Sequence, residues 1–63
     1  MNAFEAIETL KKLEEMPQEN WNRFAETNEF YEAREALRRT RIDYAHARGM
    51  LGNSEVAKFA YRR

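Results

Sequence analysis

One proline and two glycines punctuate 63 residues, and that scarcity of breakers commits the chain to helix almost throughout. Pro17 is the single position without a backbone N–H, and the two glycines, Gly49 and Gly52, stand close together near the C-terminal end. β-Branched residues, the usual strand formers, are limited to Ile7, Thr9, Thr27, Thr40, Ile42 and Val56. No stretch reads as a strand, so the expected fold is all-α.

Local signals divide the chain. Asn2 is followed three positions on by Glu5, the spacing of a capping box in which each side chain accepts from the other's backbone N–H. Ala3, Ala6, Ile7, Leu10 and Leu13 then recur at helical spacing, with Glu8, Lys11, Lys12, Glu14 and Glu15 on the other face. This first helix is expected to run from Ala3 to about Glu15, where Met16-Pro17 interrupts it because the residue before proline avoids the α region. A second helix starts at Pro17 with Trp21, Phe24 and Ala25 as its apolar side, or else near Asn28 with Thr27 or Asn28 as cap, and runs to Met50. Glycine closes it, and Asn53 and Ser54 cap a short last helix carrying Val56, Phe59 and Ala60. The expected architecture is one small domain, 1–63: a helical hairpin of two main helices, the second long, plus a short C-terminal helix.

Within the long segment Phe30, Leu37, Tyr44 and Leu51 repeat every seven residues, with Ala33, Thr40 and Ala47 three positions after the first three. That is a heptad seam of alternating large and small residues, suited to close packing against neighbouring helices. Energetics point the same way. Hydrophobic residues make up 43% of the chain, but nine of them are Ala. Burying about 60% of roughly 11,000 Å² yields on the order of 95 kcal/mol at about 25 cal/mol per apolar Å², and ordering the chain costs about the same. Cys is absent and His46 is the only histidine, so neither disulfides nor a metal fills the gap. A homo-oligomer, dimer or trimer, is therefore expected, with Phe30, Ala33, Leu37, Thr40, Tyr44, Ala47 and Leu51 at its interface.

Charge is balanced overall, 11 bases against 11 acids, yet segregated along the chain. Residues 1–32 hold eight acids and three bases, whereas residues 33–63 hold three acids and eight bases. Either the acidic half packs against the basic half, within or between chains, or the arginines face phosphates. Arg34, Arg41 and Arg48 recur at one heptad position flanking the seam, and Arg38 and Arg39 add charge outside it. These five are the candidate contacts for a nucleic acid or an acidic partner. A helix-turn-helix alignment of Tyr44 to Lys58 places Ala45 and Gly49 on signature positions, but Arg48, Glu55 and Lys58 occupy sites that need apolar residues. Nucleic-acid binding is thus the weaker reading.

Parts for enzymatic chemistry are lacking. The single serine, Ser54, reads as a cap, and there is no thiol nucleophile. Asp43 and His46, three apart, form a surface pair with no nucleophile or metal beside them. No catalytic, cofactor-binding or metal site is expected, nor any cofactor. Most aromatics fall on apolar faces, but Tyr31 and Tyr61 lie off the seam, where they would cover a subunit contact or a partner surface. No apolar run approaches the roughly 18 residues needed to cross a bilayer, and the N-terminus lacks the basic and apolar regions of an export signal. Zero Cys fits a reducing compartment, so a soluble cytoplasmic protein is expected.

With a helix from Asn2 to Glu15, the break at Met16-Pro17, Trp21 in Pro17-Gln18-Glu19-Asn20-Trp21 and a long arginine-rich helix, the sequence resembles the small early-region proteins of lambdoid phages, encoded in the exo-xis region. The resemblance runs over the whole chain and rests on length and general character. It implies a non-enzymatic accessory factor in the host cytoplasm that modulates phage development (lysis-lysogeny or prophage induction) by contacting a host or phage protein. No site residues carry over from it.

Overall fold

A computed structural model describes residues 1–62, and every regular element among them is helical. Helix α1 spans Ala3–Lys11. Its start is the capping box: Glu5 N–H donates to Asn2 Oδ1 at 2.8 Å, and Asn2 N–H donates to Glu5 Oε1 at 3.1 Å. A 3-10 turn, Lys12–Glu15, tightens its end before Met16 becomes extended ahead of Pro17. The bend is held from below by Trp21, whose indole N–H donates to the Leu13 carbonyl at 2.9 Å. The same carbonyl accepts from the Met16 N–H at 3.3 Å, so the end of the turn is bonded from two sides.

A second 3-10 turn, Gln18–Asn20, leads into the single-turn helix α2, Trp21–Phe24. Thr27 then starts α3, Asn28–Arg39: its hydroxyl donates to the Phe24 carbonyl at 2.7 Å and accepts from Phe30 N–H at 3.3 Å. The long second helix expected from the sequence does not form. The chain leaves helical geometry after Arg39, and α4, Tyr44–Leu51, begins anew with Asp43 as its cap. Gly52, at φ +70°, ends α4 in the left-handed conformation that glycine adopts without strain. Gly49 lies inside α4, so the turn falls three residues later than the helix-turn-helix alignment requires. Asn53 Oδ1 accepts from the N–H groups of Glu55 and Val56 and starts α5, Ser54–Arg62.

In place of a hairpin, five helices wrap one core. Helix α1 packs chiefly on α3, and α4 on α5, with α1 also touching both of the latter. Ala6, Leu10, Leu13, Phe30, Leu37, Leu51 and Val56 are all buried. Phe59 joins Trp21 to Phe30, with ring centroids 5.4 and 5.8 Å apart, and Phe24 meets Phe30 edge-on at 5.9 Å. Rings tilted at these separations favour positive edge against negative face. Small alanines, Ala6, Ala33, Ala47 and Ala57, are fully covered and let the helices approach closely.

The seven seam residues divide accordingly. Phe30, Ala33, Leu37, Ala47 and Leu51 are buried in the chain's own core, Tyr44 is half-buried, and Thr40 is exposed. The heptad period survives because both α3 and α4 turn the same phase inward. It does so across a break, so the seam is not one straight stripe. The accessible surface of 4413 Å² is close to the roughly 4,300 Å² expected of a folded monomer of this mass. A single chain therefore already has the total surface of a compact monomer of its size.

Candidate interaction site

The turn between α3 and α4 is the most informative piece of backbone in the molecule. Thr40 Oγ1 donates to the carbonyls of Ala36 and Leu37 at 3.0 and 3.1 Å, competing with continuation of the helix. Arg41 N–H then bonds the Arg38 carbonyl, and Ile42 N–H reaches back to the Leu37 carbonyl, both at 3.1 Å. These two bonds make a Schellman motif, completed by the apolar pair Leu37 and Ile42. Its left-handed position usually holds glycine; here it holds Arg41, at φ +58°. A residue with a Cβ in that conformation costs about 1–2 kcal/mol.

Helix α5 is tied across this turn. Tyr61 donates its hydroxyl to the Ile42 carbonyl at 2.7 Å, and its ring meets Tyr44 edge-on at 6.0 Å. Burial, and then the Asp43 carboxylate, push the Tyr61 hydroxyl above its ordinary value, so it stays protonated and keeps donating. Between α3, the turn and α5 lies a cleft of about 310 Å³, lined by Leu37, Ile42, Ala60 and Tyr61 and rimmed by Arg34, Arg38, Arg41 and Asp43. Its lining is apolar and three of its four charged groups are arginines.

Of the five arginines singled out in the sequence, three meet here. Arg34 lies over the Phe30 ring, 6.0 Å from its centroid. Arg38 is 3.6 Å from Glu35, with most of its side chain exposed. Arg39 lines a different groove with Met1, Tyr31, Glu32 and Glu35, and Arg48 lies on α4 outside the cleft. The stripe Arg34-Arg41-Arg48 required one straight helix, and the break at Thr40 dissolves it. Ile42, Asp43 and Ala60 were not foreseen as site residues. Their signal was present but local: two β-branched residues and a capping aspartate within Thr40-Arg41-Ile42-Asp43.

Asp43 and His46 do pair, for a reason other than helix-face spacing. Asp43 Oδ1 accepts from the His46 backbone N–H at 2.9 Å as the α4 cap, and the imidazole Nδ1 lies 2.9 Å from the same oxygen. The backbone bond, reinforced by the ring, holds the Asp43 carboxyl below its ordinary range. The pair is exposed and serves the helix start. No three His, Asp or Glu side chains cluster to hold a metal among the described residues, and none of the described helices is long and apolar enough to cross a membrane.

Three further ion pairs lie on the surface. Lys12 pairs with Glu29 at 2.9 Å inside the acidic half, while Arg38 with Glu35 and Lys58 with Glu55 pair inside the basic half. None of these three ion pairs joins one half to the other. All are solvent-exposed and contribute little to stability. Compared with known protein families, with characterised proteins and with solved structures, the chain matches none.

Proposed function

We propose that the chain is a non-enzymatic interaction module that docks an acidic segment of a partner protein in the arginine-rimmed cleft between α3 and α5. The observation that carries this reading is Arg41. A glycine at that position would close the same turn without strain, whereas arginine keeps a third guanidinium on the rim of an apolar cleft at a cost in stability. Strain retained beside a cleft is a mark of function more than of folding. Guanidinium groups recognise carboxylates bidentately, and Leu37, Ile42 and Ala60 offer apolar area to the side chain beside them. In line with the resemblance to lambdoid phage early-region proteins, the setting we propose is regulatory: an accessory factor that modulates phage development from the host cytoplasm.

Nucleic-acid binding through the same arginines is the second reading, favoured by the convergence of Arg34, Arg38 and Arg41. Asp43 on the rim, the separation of Arg39 and Arg48, and a net charge of zero all weigh against it. The test is a charge reversal. Arg38→Glu with Arg41→Glu should abolish partner capture, while Arg48→Glu, outside the cleft, should leave it intact. Duplex DNA bound at physiological salt, with log affinity falling by about 0.9 per phosphate contact against log salt and lost in the double reversal, would replace the protein partner with a polyanion.

A further inference from the structure

Among the charged groups on the rim of the cleft, Asp43 has the wrong sign for an acidic ligand. Capping alone does not call for that charge, since asparagine or serine starts a helix as well as aspartate does. Asp43 is also the rim group with a titrating partner. The His46 imidazole Nδ1 stands 2.9 Å from Asp43 Oδ1, and the ring is mostly exposed to water. A carboxylate only accepts, so Nδ1 carries the hydrogen in this contact and the proton that charges the ring enters at Nε2. The pair therefore changes charge while keeping its hydrogen bond. Around it, α3 supplies Arg34 and Arg38, with Glu35 against the latter, the turn supplies Arg41, and α5 supplies Tyr61, whose hydroxyl stays protonated. None of the described α1 residues lines the cleft. Histidine is the side chain that ordinarily changes charge between about pH 5 and 8, and His46 is the only one in the chain.

We infer that the Asp43-His46 pair couples docking in the cleft to proton uptake: a partner's acidic segment binds more tightly when the imidazole is charged, and its binding draws a proton onto His46. The inference rests on reading the cleft as a site for acidic segments. Its sign follows from charge. With the ring neutral, three guanidiniums and one carboxylate leave the rim two net positive charges, and Asp43 repels the ligand's carboxylates. A charged ring offsets Asp43 and raises that balance to three. The coupling is mutual, because a ligand whose affinity depends on a proton changes the affinity for that proton by the same factor. One unit charge acting through solvent at the mouth of a cleft shifts affinity by about threefold. The pair thus tunes the site: the partner is held more firmly as the surroundings acidify, and the start of α4 keeps its cap throughout.

Fluorescence anisotropy of a labelled, end-blocked peptide, Asp-Asp-Leu-Asp-Asp, titrated with the full chain at low ionic strength tests this. The measurement is made at about pH 7.5 and about pH 6, where the aspartates of the peptide stay ionised. Wild type should bind about threefold more tightly at the lower pH. His46→Gln should stay at the weaker level at both. Asp43→Asn, which keeps a cap but drops the charge, should already bind at the higher pH as the wild type does at the lower. Both changed residues are exposed, so circular dichroism should show the variants still helical. Adding the peptide to wild type near neutral pH should also move the ring proton signals of the single histidine toward their charged positions. Equal wild-type affinity at the two pH values, a full pH response in His46→Gln, an Asp43→Asn variant no tighter than wild type at the higher pH, or an unmoved histidine signal would each overturn the coupling and leave docking in place. A peptide bound at neither pH would remove the docking reading and the coupling together.

Discussion

The chain bends sharply at Met16-Pro17 and again at Thr40-Asp43, and the two bends are built on opposite terms. At the first, proline forbids the helix, Met16 takes the extended conformation proline imposes, and a buried indole joins the Met16 N–H in bonding the Leu13 carbonyl. No non-glycine residue there takes a left-handed conformation. At the second, no proline or glycine intervenes, and an arginine is held at φ +58° where glycine would be at ease. The hydrogen bonds of a Schellman motif, the Leu37-Ile42 contact and the Tyr61 hydroxyl hold it in place. One bend serves the core, and the other holds a strained arginine at the mouth of a cleft.

Three experiments sharpen that contrast. Trp21→Ala should have the largest effect, about 3–5 kcal/mol lost in denaturant unfolding, because it empties buried aromatic volume against Phe59 and removes the indole N–H from the Leu13 carbonyl. For so small a domain that is enough to leave the chain largely unfolded. Arg41→Gly should act in the opposite direction, raising stability by about 1 kcal/mol through relief of the left-handed strain, while weakening capture of an acidic partner. If it destabilises instead, the second bend is as fully optimised as the first and the contrast fails.

Acid should have the smallest effect. A carboxyl whose folded value lies below its ordinary one stabilises the fold above that ordinary value, 3.8, and loses the contribution as pH falls through the folded value. Asp43 is exposed, so the loss is small. Asp43→Asn keeps a cap that does not titrate, and its thermal midpoint should fall less than that of the wild type as pH drops below about 4. Equal slopes for the two proteins would remove Asp43 from the acid response.

How much could be read in advance follows from range. The capping box of Asn2 and Glu5 and the break at Pro17 are settled within three or four residues by dihedral limits and unpaired N–H groups and stand as the sequence indicates, whereas the sequence left Thr27 or Asn28 as cap and Gly49 or Gly52 as stop, and the structure takes Thr27 and Gly52. Asp43-x-x-His46 carried a local signal too, but its spacing fits a helix cap and a helix face equally well. Only the break before it decides between them.

The sequence by itself determined that the chain is helical, that Ile7, Leu10, Leu13, Phe30 and Leu37 lie on apolar helix faces, and that opposite charges gather in its two halves. Those properties depend on composition and on a period of 3.6 residues, which survive any arrangement of the helices. Tertiary structure alone decided that α3 stops at Arg39, that five of the seven seam residues are buried against their own chain, and that Arg34, Arg38 and Arg41 share one cleft while Arg39 and Arg48 do not. Tyr61 reaches Ile42 from 19 residues away, and an arginine takes a glycine's conformation only when contacts of that range outweigh its local preference.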